Sequence, residues 1–186
     1  MNRIEKISSL LGDVALPLFG YFFWNWNFYF ILLFFMLDQI SRVIFLPQRL
    51  KLTEISKEDK NKIFLRQLVL LVIELLVIHS AVFLHQNVIN FGKEFVSFLS
   101  YEDMGIAQGI ILVPIIIASE WMRIKNELKM GIVGGQQLEI MNLNKRNSFL
   151  RIGYFALLIG VQSIVPLPEE AAVFSFLSFI TLLVIF

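Results

Sequence analysis

Glu74 lies near the middle of a long apolar stretch, where an ionised side chain costs roughly 2.5–3.5 kcal/mol if the stretch sits in a bilayer. An α-helix turns about 100° per residue, so Gln67 and His85 fall within roughly 20° of Glu74 and form a polar stripe with it. Glu74 and His85 are then about 16 Å apart along the axis, bordering one path without forming one site. His79 is turned about 140° from Glu74, and the two histidines make no two-ligand metal motif on this helix. Two readings of the intramembrane set Glu74, His79, His85 and Gln67 follow. One is a protonatable or cation-binding carboxylate inside a helical bundle. The other is a protonated or hydrogen-bonded glutamate that fixes helix packing.

A second set gathers at helix ends. Asp38 and Arg42 are four residues apart and Glu120 and Arg123 three, spacings that pair opposite charges on one helical face. Together with Arg151 and Arg66 they would line a pocket facing the cytoplasm, suited to an anionic headgroup or substrate; alternatively, the pairs neutralise one another and reach toward the headgroups. Gln162 and Ser163 are candidate partners for His79 or His85. Enzyme signals are sparse: no G-x-S-x-G elbow, no H-E-x-x-H, no phosphate-cradling glycine loop, and no acidic residue three or four places from either histidine. An intramembrane hydrolase would have to assemble its site from distant residues. The sequence has no cysteine, which excludes thiolate catalysis, disulfides and cysteine metal sites. No cofactor and no metal is expected.

The elements that must position these residues are membrane helices. Of 186 residues, 57% are hydrophobic and 19 are Phe, a composition whose surface would aggregate in water. Mean hydropathy is +0.72. The charges cluster between apolar runs long enough to cross about 30 Å of hydrocarbon. The expected fold is therefore all-α, a single polytopic transmembrane bundle with six spans at about 7–23, 28–46, 63–86, 105–124, 149–165 and 171–186. A solvated loop or short surface helix at 47–62 and a flexible loop at 125–148 face the cytoplasm, and 87–104, with its spaced Phe91, Phe95, Phe98 and Tyr101, is an amphipathic helix on the outer surface. The Trp24-Asn25-Trp26-Asn27 hairpin is expected at the headgroups, with half-buried indoles and wet N–H groups. Pro47 is expected to end the second helix, and Pro114 to kink the fourth. Gly105 and Gly109 suit a close helix contact, and Ala171, Ser175 and Ser178 share a face expected to look inward.

Counting basic residues sets the orientation, because Lys and Arg are retained on the cytoplasmic side. With six spans and both termini inside, fifteen of the 16 fall inside, Arg3 and Lys6 among them, and only Lys93 lies outside. The acids Glu94, Glu102, Asp103, Glu169 and Glu170 also fall outside but carry little topological weight. The start reads as mature protein, since no small-residue cleavage site follows Arg3 and Lys6. A net charge of +1 argues against nucleic acid as a partner. The expected partners are the lipid bilayer and either another membrane protein or a second copy, in a prokaryotic cytoplasmic membrane.

The first two helices, from Leu16-Pro17-Leu18-Phe19-Gly20 through Trp26 to Phe35-Met36-Leu37-Asp38, resemble a widespread prokaryotic family of polytopic membrane proteins with a Tyr-Trp-x-Glu signature in the second helix. Phe35 and Met36 stand where that family has its aromatic pair, and Asp38 where it has the glutamate. His79, Glu120 with Trp121, and Arg151 extend the similarity over most of the chain. The resemblance implies a multi-helix membrane fold and no particular substrate.

Overall fold

The side chain of Asn27 accepts a hydrogen bond from the Phe30 backbone N–H at 2.8 Å and so caps the helix around which the others are arranged, Phe28–Lys51. In this computed structural model, which describes residues 11–86, 89–101 and 107–185, it is the second of seven α-helices. A π-helical turn at Leu11–Ala15 leads into α1 (Leu16–Phe23), and α2 is Phe28–Lys51. There follow α3 (Lys57–Gln86), α4 (Phe91–Ser100), α5 (Gln108–Lys129), α6 (Gly135–Gln162) and α7 (Glu169–Ile185). The described residues contain no strand. Arg3, Lys6, Glu102, Asp103 and Gly105 lie outside them.

A helix that is apolar all round belongs in an interior, and every residue from Phe28 to Met36 is buried. Around α2 pack α1, α3, α4, α5 and α7, while α6 packs chiefly on α3. Trp26, Phe30, Phe98, Phe155 and Phe176 build the main core. A smaller one joins Leu46, Leu50 and Met141. Bonds between Gln67 and Met141, Glu74 and Arg151, and His85 and Gln162 span 74, 77 and 77 residues. Positions on α3 and α6 therefore rise together, and the two helices run parallel.

Among the described residues, two helices are long and apolar enough to cross a membrane: Phe28–Lys51, with mean hydropathy 1.8, and Lys57–His85, with 2.4. The second lies at the periphery and shows Leu65, Val69, Val72 and Leu76 on its exposed face. That is weak support for a membrane protein, since a soluble core helix can match the first. Of the other four expected spans, α1 and α7 are short, while α5 and α6 carry charged side chains into the segment.

Several sequence expectations need correction. Trp26 is 1% exposed, and its indole N–H donates to Gln108 Oε1 at 3.1 Å, so it is a core residue and does not sit half-buried at an interface. Pro47 does not end α2, which continues to Lys51. A proline removes one backbone hydrogen bond, but the buried contacts of Arg49 hold the next turn in place. The segments expected as a loop or short surface helix at 47–62 and as a loop at 125–148 belong mostly to the flanking helices, leaving only residues 52–56 and 130–134 as connections. Gly131 and Gly134 both have positive φ, which glycine adopts without strain. On α7 the inward face is Ala172, Val173, Phe176, Leu177 and Ile180, whereas Ser175 and Ser178 are exposed. Core packing favours the large apolar groups there, and Ser175 finds its partner in the Tyr154 hydroxyl at 2.9 Å. The amphipathic helix expected within 87–104 is present as α4, but Phe98 plugs into the core against Trp26 and Phe30.

Candidate functional site

The stripe on α3 meets one partner helix. Gln67 Nε2 donates to the Met141 carbonyl at 3.4 Å, Glu74 meets Arg151, and His85 Nδ1 lies 3.2 Å from Gln162 Nε2, all on α6. The Glu74 pair is the centre of the set. Arg151 Nε donates to Glu74 Oε1 at 2.5 Å and Nη2 to Glu74 Oε2 at 3.2 Å, a two-pronged bond that suits the planar guanidinium. The same Nη2 reaches Gln39 Oε1 on α2 at 3.0 Å and Ser148 Oγ on α6 at 2.9 Å. All four residues are buried. The Phe35 ring lies 5.4 Å from the guanidinium carbon and closes the site toward the aromatic core. Glu74 thus has a full-charge partner, and Arg151 belongs with it, not with the pocket expected around Asp38 and Glu120. The cause is packing: α6 lies on α3, which turns Arg151 toward Glu74.

His79, off the stripe, turns to α2. Its Nδ1 donates to the Leu75 carbonyl at 2.7 Å, because a carbonyl can only accept, and that leaves Nε2 to accept from the Tyr29 hydroxyl at 3.1 Å. Phe91 of α4 stands edge-on to the imidazole at 4.7 Å. Both histidines are therefore committed to neutral partners, and the intramembrane set Gln67, Glu74, His79 and His85 does not converge on one point.

The pairs expected by spacing form. Arg42 contacts Asp38 at 2.8 Å, and Asp13 lies 3.9 Å away; Arg123 contacts Glu120 at 2.5 Å. The second pair is absorbed into a larger cluster around Arg49, which is only 2% exposed. Arg49 donates to Glu120 Oε1 from Nη2 at 3.1 Å and to Glu127 from Nη1 at 2.5 Å. Gln137 donates to Glu127 at 3.0 Å, and the Gly134 N–H to the Leu52 carbonyl at 3.0 Å, fastening the α5–α6 connection to the end of α2. Arg123 Nε is buried with no hydrogen-bond acceptor among the described residues.

Sequence reasoning missed Arg49, Glu127, Gln137, Gln39 and Ser148. One signal was available: Glu120 and Glu127 are seven apart on one face of α5 with a single cation on that face, Arg123, between them, which leaves one carboxylate for a cation from another helix. No group of three or more His, Asp or Glu among the described residues is arranged to hold a metal. A cavity of about 30 Å³ touches both charge clusters, lined by Arg42 and Arg49 on one side and Glu74, Asn144 and Ser148 on the other. No family model matches the chain, and neither a curated protein nor a solved structure resembles it detectably.

Proposed function

We propose that this is a six-span protein of a prokaryotic cytoplasmic membrane, both termini inside, and that it works as a small transporter-like bundle with Glu74–Arg151 as its exchangeable polar centre. One observation carries the reading: polarity is turned inside out, with a buried carboxylate–guanidinium pair beside a cavity and apolar side chains on the outside. In water, Arg and Glu are almost never fully buried unless paired, and large apolar patches are rare, so the exposed apolar surface is what separates the two solvents; in lipid, ionisable residues face the bundle interior and mark paths for ions or protons. Ile110, Ile115, Leu157 and Ile164 extend the exposed apolar surface beyond the two most hydrophobic helices. The family resemblance of the first two helices agrees with a multi-helix membrane protein.

Purified protein in liposomes holding a pH-sensitive dye tests the reading. A proton gradient should acidify wild-type vesicles faster than empty ones, and Glu74→Gln, which keeps the shape but not the charge, should lose the excess. Equal rates in wild type and Glu74→Gln would refute a role for this carboxylate. A second reading, a subunit or scaffold that docks with another membrane protein or a second copy, is favoured by the saturation of Glu74, Glu120 and Glu127 with partners; no uptake by any vesicle would select it. An enzyme would need Asp38, Glu120 and a histidine to converge. Instead Asp38 is held by Arg42 and Glu120 by Arg49 and Arg123, while the histidines bond Tyr29 and Gln162.

A further inference from the structure

A second cavity of about 30 Å³ lies beside the first, bounded by Ile63, Arg66, Leu138, Asn142 and Lys145. The two share a wall made by Gln67 and Met141. On α3 the lining moves from Ile63 and Arg66 to Leu71 and Glu74; on α6 it moves from Leu138 and Asn142 to Asn144 and Ser148, with Lys145 of the outer cavity overlapping Asn144 of the inner one. Two chambers thus stand in series between the parallel helices, stepping inward from the α3 and α6 amino ends to the buried pair. The dividing contact is weak, since Gln67 reaches the Met141 carbonyl at 3.4 Å, beyond the usual N–H···O range.

A polar cavity of about this size holds one water when two to four polar groups surround it. The inner chamber has Gln39, Arg42, Arg49, Glu74, Asn144 and Ser148, and the outer one Arg66, Asn142 and Lys145. Most of the inner lining is already paired within the protein, but Asn144 there and Arg66 and Asn142 in the outer chamber make no side-chain hydrogen bond among the described residues, and a water would give them one. Arg66 and Asn142 are exposed, which opens the outer chamber to solvent. On the other side of Glu74 stand Phe35 and the aromatic core.

We propose that a water-filled inlet runs between α3 and α6 from a mouth at Arg66 and Lys145, past Gln67 and Met141, to the Glu74–Arg151 pair, and that it brings water and protons to that pair. The proposal rests on the membrane reading and deepens it: chambers the size of one water exclude organic solutes, so the species reaching Glu74 is the proton. Met141 is the natural reporter. It is 3% exposed yet touches both chambers, whereas Met122 is 51% exposed on an apolar face, Met130 is 54% exposed in the α5–α6 connection, and Met36 is 5% exposed in the aromatic core.

Radiolysis of water in a nanodisc sample generates hydroxyl radicals wherever water resides and oxidises adjacent methionines to the sulfoxide. Met141 should oxidise within a few-fold of Met130 and about tenfold faster than Met36 or Met122, because water and not exposure sets the rate. Asn144→Leu, which fills the inner chamber with hydrocarbon, should slow Met141 several-fold and leave Met130 unchanged. If Met141 is as inert as Met36 while Met122 is also inert, the inlet is overturned and the membrane reading stands. If Met122 oxidises as fast as Met130, its face is in water and both fall. Unchanged Met141 oxidation in Asn144→Leu also overturns the inlet, since the radical source would then lie elsewhere.

Discussion

The two ends of the bundle are held together by different chemistry. At the Arg49 end, guanidinium and carboxylate groups from α2 and α5 form a buried ionic lattice, with Gln137 of α6 attached. At the Trp26 end, rings interlock: Trp26 and Phe98 centroids are 5.7 Å apart, Phe30 and Phe98 5.4 Å. Yet the aromatic end is also pinned by polar bonds. The Trp26 N–H donates to Gln108, whose own amide donates to the Phe98 carbonyl, and the Phe28 N–H donates to Glu169 Oε1 at 2.7 Å. On the membrane reading proposed above, the comparison teaches what positions helices when the surroundings are as greasy as the core. Apolar burial then supplies little drive, and orientation falls to close packing and directional bonds. The ends differ in what a lost partner leaves behind: a stranded charge at one, a small misfit at the other.

Breaking the ionic end should do the most damage. Arg49→Met leaves Glu120 and Glu127 short of their shared cation, and stability should fall by about 3–5 kcal/mol, as when one member of a buried ion pair is removed. Reversible unfolding in mixed detergent micelles measures this, and a loss under about 1 kcal/mol would mean the lattice does not hold the end together. At the aromatic end, a Cβ on Gly20 would run into the Trp26 ring. Gly20→Ala should therefore cost about 1–3 kcal/mol by overpacking and shift Trp fluorescence, and an unchanged protein would show that this contact is loose. The smallest effect sharpens the contrast. Lys62 and Glu58 form an ion pair at 2.7 Å, but their side chains are 63% and 78% exposed, so Lys62→Ala should cost only about 0.2–0.5 kcal/mol, and less at high salt. A loss comparable with Arg49→Met would erase the distinction between buried and solvated charge.

Much of this was legible in the residues and their spacing. Periodicity placed Gln67, Glu74 and His85 on one line, and that line meets a single helix. Spacing of three and four gave Glu120–Arg123 and Asp38–Arg42, and Gln162 was one of two candidate partners for His85. What stayed hidden was which helices are neighbours. Arg49 finds its carboxylates 71 and 78 residues away, and no local pattern encodes that meeting. Pro47 also misled, because its lost hydrogen bond suggested a helix end and moved Arg49 into an expected solvated loop. On α7, small residues were assigned to the interface by rule, whereas the space beside α2 takes Phe176 and Leu177.

The parallel pairing of α3 and α6 also sets a timetable for biosynthesis. Glu74 emerges 77 residues before Arg151, and at about 5–20 residues per second that gap lasts roughly 4–15 s. Through that interval the carboxyl group has no guanidinium to meet. Docking of α6 then brings Arg151, Ser148 and Met141 to α3 together, so the polar centre closes only once most of the chain has been made.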